Sequence, residues 1–583
     1  MRQSSWVHVA VILSLTSCVG NIGDNASPGS RAEPTRPPVE PPPVRFACEG
    51  DTQAEGELSR LSRNHYEHAI RDLLETFLGG AHPEVRAELE TLFDRIPDDR
   101  RDHHEPFAVM DQSVSVGHVS SYLEVGEGLG QSIASAPGAI DTLTGCRADP
   151  SAACVERFIR RFGSLAFSRP LEESEVRFFL EVYDAPGLDS EGIADIVTVT
   201  LNAPQFLYRV EHGEAQVSGD VYVLSDFEVA KRLAGVLWQS IPDGSLLTAA
   251  ETGELATDEG FAAVVDRMLD DPKFERTTET FIEEWFQLDR IGDFASQISN
   301  PEYAAFAGSL TPAPDLHHAM VDEVAESFRY HAQQGDGFFT WFESNYAFTT
   351  HPQLAEIYGV PTWDGASEPP RFPEGERAGL ITRAGMVATA SATTRPILKG
   401  VMLRQLLLCD SLAPPPPEAD VTVPTNDGLQ TTREAVEVLT EIPGTSCISC
   451  HGLFINHLGY PTEAYDALGR FRTDETILDD DGNVLGTRPV DTSAVPRVDI
   501  DDETPVADAA ELVARLMESE KLEACFARQL FRYTRARLED DQANGCALEE
   551  TRTTAGDSLR NTLTGSLRRE DFRQRRMLEV TSR

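Results

Sequence analysis

Cys447-Ile448-Ser449-Cys450-His451 reads C-x-x-C-H, the attachment signature of a c-type haem. Two thiols three positions apart can add to the two vinyl groups of one porphyrin, and the adjacent histidine then supplies an axial nitrogen to iron. A structural disulfide, a half-site for zinc and a redox dithiol use the same residues. A zinc ribbon needs a second C-x-x-C, and the chain has none. A thioredoxin-like dithiol needs a βαβ setting, which the flanking pattern does not offer. Haem attachment and a plain disulfide remain.

The N-terminus bears on that choice. Arg2 precedes an apolar run from Val7 to Leu15 and then Leu15-Thr16-Ser17-Cys18, the pattern of an export signal. The run is too short to span a bilayer. Leu-Thr-Ser-Cys resembles the bacterial lipobox, which makes Cys18 the lipid-bearing first residue of the mature chain. An ordinary signal peptide with a coincidental cysteine is the alternative, and it implies the same export. Covalent haem attachment takes place outside the bacterial cytoplasm, so export and the C-x-x-C-H motif agree. Up to residue 46 the chain is rich in proline (Pro28, Pro34, Pro37, Pro38, Pro41, Pro42, Pro43) and poor in apolar residues. It reads as an extended tether, about 3.1 Å per residue where it is polyproline II.

The rest is several domains long, and an apolar content of 40% is ample for packed cores. A net charge of −46 argues against nucleic acid or an anionic lipid surface as partner. Of nine cysteines, Cys18 is assigned to lipid and Cys447 with Cys450 to haem. An even number is left for an oxidising compartment. Neighbours in sequence are the first expectation: Cys146 with Cys154 and Cys525 with Cys546, leaving Cys48 with Cys409. Buried thiols are the alternative for some of them.

Elsewhere the hydrophobic periodicity is helical. Ser62 stands as an N-cap before Tyr66, Ile70, Leu73 and Leu74, which share one face. Ser225-Asp226-Phe227-Glu228 is a capping box ahead of Ala230, Leu233, Leu237 and Trp238. Further helices are expected at 259–270, 275–288, 315–334, 507–517 and 522–537. A hairpin is expected around Asp480-Asp481-Gly482-Asn483, and Pro414 to Pro417 break the chain before the C-x-x-C-H segment. Beyond 550 the sequence is polar and basic, with little order expected.

Several segments, taken in order, resemble the multidomain planctomycete-type cytochrome c proteins, also common in myxobacteria. These are Leu61-Ser62-Arg63 with Ile70-Arg71-Asp72-Leu73-Leu74, Phe167-Ser168-Arg169-Pro170-Leu171, and Pro204-Gln205-Phe206-Leu207-Tyr208-Arg209 with Leu224-Ser225-Asp226-Phe227-Glu228. Arg377-Ala378-Gly379-Leu380-Ile381-Thr382, the C-x-x-C-H turn, Tyr465-Asp466-Ala467-Leu468-Gly469-Arg470 and Phe531-Arg532-Tyr533 follow. The chain departs from that pattern at Arg395-Pro396-Ile397-Leu398-Lys399-Gly400, where the family has a Ser-Pro-x-x-Arg-Gly type segment. It departs again at Asn456-His457, where the family has Asp-Pro or Asn-Pro.

The resemblance implies a mainly α fold: a multidomain helical protein with a small c-type cytochrome-like module near the C-terminus. The expected order is a lipoprotein signal peptide (1–17), a proline-rich tether (18–46), an N-terminal helical module (47–140) and a helical module with the Phe167–Leu171 segment (141–215). A central helical module (216–345), the cytochrome-like module (346–475), a C-terminal helical module (476–550) and a polar basic tail (551–583) follow. One covalent haem c is expected on Cys447 and Cys450, with His451 on iron and Lys399 and Arg395 as partners for the haem propionates. Met386, Met402, Met517 and His457 are the candidates for the other axial position, where the sequence alone makes no choice.

Three other motifs carry bland readings. Gly556-Asp557-Ser558-Leu559 spells a hydrolase motif without the preceding strand that chemistry needs. His318 and Asp322 stand at i, i+4 on a solvated helix face, and Asp479 to Asn483 lacks the glutamate of a calcium loop. The leading expectation is electron transfer at the cell envelope, from a lipid-anchored periplasmic or outer-membrane position. Its partner is a redox protein or a small-molecule donor or acceptor, with no nucleic acid. The alternatives are a peroxidase- or oxidase-like haem enzyme, and a surface-binding lipoprotein in which haem is secondary.

Overall fold

Side-chain caps set where the helices begin. The Ser62 hydroxyl accepts the His65 N–H and opens the helix Arg63–Leu78, which buries Tyr66, Ile70, Leu73 and Leu74. Ser225 and Glu228 complete a capping box at the start of Asp226–Leu237. The computed structural model describes residues 39–50, 59–99, 107, 114–414 and 429–577, and over these the protein is mainly helical with short strands. The signal-peptide and Cys18 expectations and the prolines 415–417 lie outside the described residues.

The chain divides into two units, and the first comprises the described residues of Phe46–Phe281, Arg329–Gly337 and 527–577. Its core draws Leu73 and Phe77 from Arg63–Leu78, Leu89 from Pro83–Phe93, Phe158 and Phe162 from Ala152–Phe167, and Ile196 from Ser190–Asn202. The helix Val116–Ser135 lies so close to Ser190–Asn202 that a Cβ at Gly130 would strike the Ala194 carbonyl. Strands Ala215–Ser218, Val221–Val223 and Gln574–Arg576 form a small antiparallel sheet. Order therefore extends well into the stretch beyond 550. Leu559, Leu563 and Leu567 recur every four residues and are buried in the helix Leu559–Arg568, so a leucine stripe folds an otherwise basic sequence.

The second unit comprises 39–45, Ile282–Phe328 and Phe338–Phe526. Trp285, Phe286, Phe338, Trp341 and Phe526 pack their rings together in its core. Arg383 and Glu323 form a salt bridge with neither side chain exposed, and Glu323 also accepts the Tyr358 hydroxyl at 3.0 Å. Val39–Glu40 pairs antiparallel with Ser411–Leu412, so this end of the proline-rich segment is packed against the fold rather than a free tether, with Val39 buried. Asp474–Leu478 and Val484–Pro489 make the expected hairpin, its turn passing through Gly482 at φ 80°.

Six cysteines form three disulfides. Cys146–Cys154 is the pair that sequence proximity suggests. The other four exchange the expected partners, as Cys48–Cys546 and Cys409–Cys525, separated by 498 and 116 residues. Each pair lies within one unit, brought together by tertiary packing that sequence distance does not encode. Three disulfides fit an exported protein. No helix among the described residues is long and apolar enough to cross a membrane.

One half-buried histidine gives the first unit a pH dependence. His68 Nδ1 is buried without a hydrogen-bond partner; burial, with Arg276, His65 and Arg71 nearby, pushes the imidazole down from 6.5 to about 4. The unfolded chain therefore takes up this proton first as pH falls. The stability contribution is complete above about 6.5 and is lost on the way to about 4, roughly 2 kcal/mol after allowing for partial exposure. Denaturant midpoints measured at pH 7 and pH 4.5 should show a smaller fall in His68→Phe than in wild type.

Candidate functional site

The C-x-x-C-H stretch folds as one irregular helical segment. A 3-10 turn over Cys447–Ser449 passes into a π-helical turn over His451–Ile455 and then the short helix Asn456–Gly459. The Cys450 carbonyl accepts both the Phe454 N–H at 2.9 Å and the Ile455 N–H at 3.1 Å, which widens the turn. Cys447 and Cys450 take no part in the disulfides. Cys447 is buried, while Cys450 and His451 are half-buried. Burial pushes the Cys450 thiol up and the His451 imidazole down, so the histidine is held neutral, the form that ligates iron.

The helix Pro396–Met402 supports this segment backbone to backbone. A Cβ at Gly400 would overlap the Ile455 carbonyl, and one at Gly459 would overlap the Pro396 carbonyl. The helix continues as a π turn, Leu403–Leu407, from which Arg404 Nη2 donates to the Phe454 carbonyl at 3.0 Å. Arg404 Nη1 lies 3.0 Å from Asp410, whose other oxygen is 2.9 Å from Lys521 Nζ. All three side chains are buried, and the spare donors go to main-chain carbonyls of Pro496, Arg497 and Val498.

Around the histidine, Nδ1 lies 3.3 Å from Asn456 Oδ1. Asn456 Nδ2 donates to Thr440 Oγ1 at 2.9 Å and to Glu441 Oε1 at 2.8 Å, and the Tyr460 hydroxyl donates to the same carboxylate oxygen at 2.8 Å. The Arg433 guanidinium sits 4.3 Å from the centre of the Tyr460 ring. Leu398, Val438, Ile442 and Leu453 are exposed large apolar side chains, and they sit on or next to three mutually packed elements: Pro396–Met402, Thr432–Thr440 and His451–Ile455. Apolar surface beside two thiols and a neutral imidazole is the chemistry a porphyrin face requires.

The two expected propionate partners have different surroundings. Lys399 is buried with its ammonium 3.0 Å from Glu463, which also accepts from Thr394 and lies 3.5 Å from Arg472. Its charge is thus met inside the protein. Arg395 is half-buried, and burial lowers its guanidinium with no acidic neighbour opposing. Of the axial candidates, Met386 is buried on Ala384–Val387, and Met402 and Met517 are half-buried. His457 has both nitrogens occupied or turned inward. Its Nδ1 accepts the Val495 N–H at 3.0 Å, and its Nε2 faces Glu441 at 4.0 Å.

The remaining motifs are structural. Ser558 caps the helix Leu559–Arg568 by accepting the Asn561 N–H. The His317 and His318 rings lie tilted with centres 3.8 Å apart, and no group of metal-binding side chains gathers among the described residues. Asp479 accepts the Asn483 N–H and side-chain amide, a hairpin turn. Arg404 and Glu441 were missed in the sequence, where Asn456 stood out only as part of a departure from the family pattern. Asn456 sits five residues after His451, a spacing that brings side chains together only because a π turn intervenes.

The chain is helical and multidomain, with a C-x-x-C-H turn packed on a neighbouring helix, and sequence comparison gives its class. PSD5 (protein of unknown function, DUF1595) matches 154–211, PSD4 (DUF1592) matches 224–360, and PSCyt3 (DUF1588) matches 377–475, the stretch that contains the turn and its bracing helix. The chain belongs to the planctomycete-type cytochrome c-like multidomain proteins, of which these domains are typical. No curated protein and no solved structure matches it.

The contact at Gly400 is directly testable. Gly400→Ala should destabilise the second unit by about 1–3 kcal/mol through overpacking. Gly235→Ala, on a helix with open space at the same atom, should be neutral or slightly stabilising in the same thermal-unfolding assay.

Proposed function

We propose that the protein carries one haem c, joined through thioethers to Cys447 and Cys450 with His451 Nε2 on iron, and that it transfers electrons at the cell envelope. The observation that carries this is the state of His451: Asn456 engages Nδ1, and burial holds the imidazole neutral beside the two thiols that take no part in the disulfides. When bound, the haem supplies one-electron chemistry at iron. The chain's own residues do the rest. Cys447 and Cys450 fix the porphyrin edge, His451 is held in orientation, Leu398, Ile442 and Leu453 exclude water, and Arg395 balances a propionate.

Export through the N-terminal signal, a lipid on Cys18 and the proline-rich segment place this centre outside the cytoplasm. Its redox partner is a protein or a small donor or acceptor, and a chain of net charge −46 favours a basic docking surface. A haem enzyme is the second reading, supported by the inward turn of His457: its Nδ1 accepts the Val495 N–H and its Nε2 faces Glu441 at 4.0 Å, so this residue would not serve as a second iron ligand.

The mature protein, made in a host with c-haem maturation machinery, should give the pyridine haemochrome spectrum of thioether-linked haem, and Cys447→Ser with Cys450→Ser should abolish it. A low-spin six-coordinate spectrum marks the carrier, and a high-spin one with peroxide reactivity the enzyme. A colourless protein contradicts both readings.

A further inference from the structure

We infer that Glu441 is a positioning residue for His451, acting through Asn456 to fix which imidazole nitrogen is presented and how strongly it donates. The inference rests on the haem reading above. It starts from hydrogen-bond roles that leave no choice. The Thr440 hydroxyl donates to the Val436 carbonyl at 2.8 Å, so towards Asn456 it can only accept. An ionised Glu441 only accepts as well. Both therefore face the amide nitrogen of Asn456, and its carbonyl oxygen must be the atom turned to His451. A carbonyl oxygen only accepts, so His451 Nδ1 carries the proton and Nε2 presents its lone pair.

The same logic explains why His457 does not compete. The Val495 N–H makes His457 Nδ1 an acceptor, which leaves the proton on Nε2, turned towards Glu441. Glu441 thus gathers Asn456 and Tyr460 on Oε1 with the His457 ring beyond Oε2. Asn456 is fully buried, so the middle link between carboxylate and imidazole is shielded from water. A carboxylate at its far end polarises the amide and makes the imidazole a stronger donor, as partners of ligating histidines commonly do. The ferric state, with the higher positive charge, gains more from that than the ferrous state. Glu441 therefore holds the potential down.

Glu441→Gln separates charge from shape. The glutamine oxygen can still accept from Asn456 and Tyr460, so haem loading and the His451 tautomer should be retained. At a fixed solution potential the ferric–ferrous ratio should move roughly tenfold towards ferrous. Equal loading with an unchanged ratio would overturn the inference. A second readout needs no haem: in the full chain carrying Cys447→Ser and Cys450→Ser, nitrogen-15 NMR should show His451 protonated on Nδ1. Protonation on Nε2 there would overturn the inference whether or not the native chain holds haem. A native chain without haem that shows the Nδ1 tautomer would instead defeat the haem reading and leave the tautomer control standing.

Discussion

The backbone of the helix Pro396–Met402 lies against the backbone that follows His451, and this contact needs glycine on both sides. Gly400 meets the Ile455 carbonyl and Gly459 meets the Pro396 carbonyl, with no space for a methyl group at either point. Much of the site depends on that approach. It lets Arg404 reach the Phe454 carbonyl and hold the π turn, and the π turn in turn carries Asn456 round to His451. Without the turn, a residue five positions on would sit to one side of the imidazole.

Buried charge fixes the surroundings. Arg404, Asp410 and Lys521 form one cluster, Lys399 and Glu463 a second, and Arg383 with Glu323 a third, all within the same unit. Such pairs add little net stability compared with apolar packing, but removing one partner leaves a buried charge and costs about 3–5 kcal/mol. They act as registration devices. Each ties segments distant in sequence to one geometry, as when Asp410 and Lys521 draw together residues 111 apart in the chain. A turn held in this way presents its histidine in one orientation, so that under the proposed haem reading ligation would need little reorganisation.

Much of this was legible in the sequence because it is local. The Ser62 and Ser225 caps, the 474–489 hairpin and the C-x-x-C-H turn each depend on residues a few positions apart. The disulfides Cys48–Cys546 and Cys409–Cys525 were not legible, since proximity in sequence is a poor guide once several domains fold. The helix beyond 550 hid behind its basic composition, although the leucines at 559, 563 and 567 carried the signal. Lys399 read as a cation for a haem carboxylate, yet folding brings it to Glu463 64 residues away. The link from Glu441 to Asn456 to His451 depends on a π turn and a helix C-terminus meeting. No periodicity shows that.

The mass of the denatured mature protein tests the central claim most directly. Thioether bonds survive denaturation, so the account predicts that the chain keeps the mass of one haem and that the peptide spanning 447–451 carries it. A chain without that mass, with Cys447 and Cys450 joined to each other as a disulfide two hydrogens lighter, would contradict it.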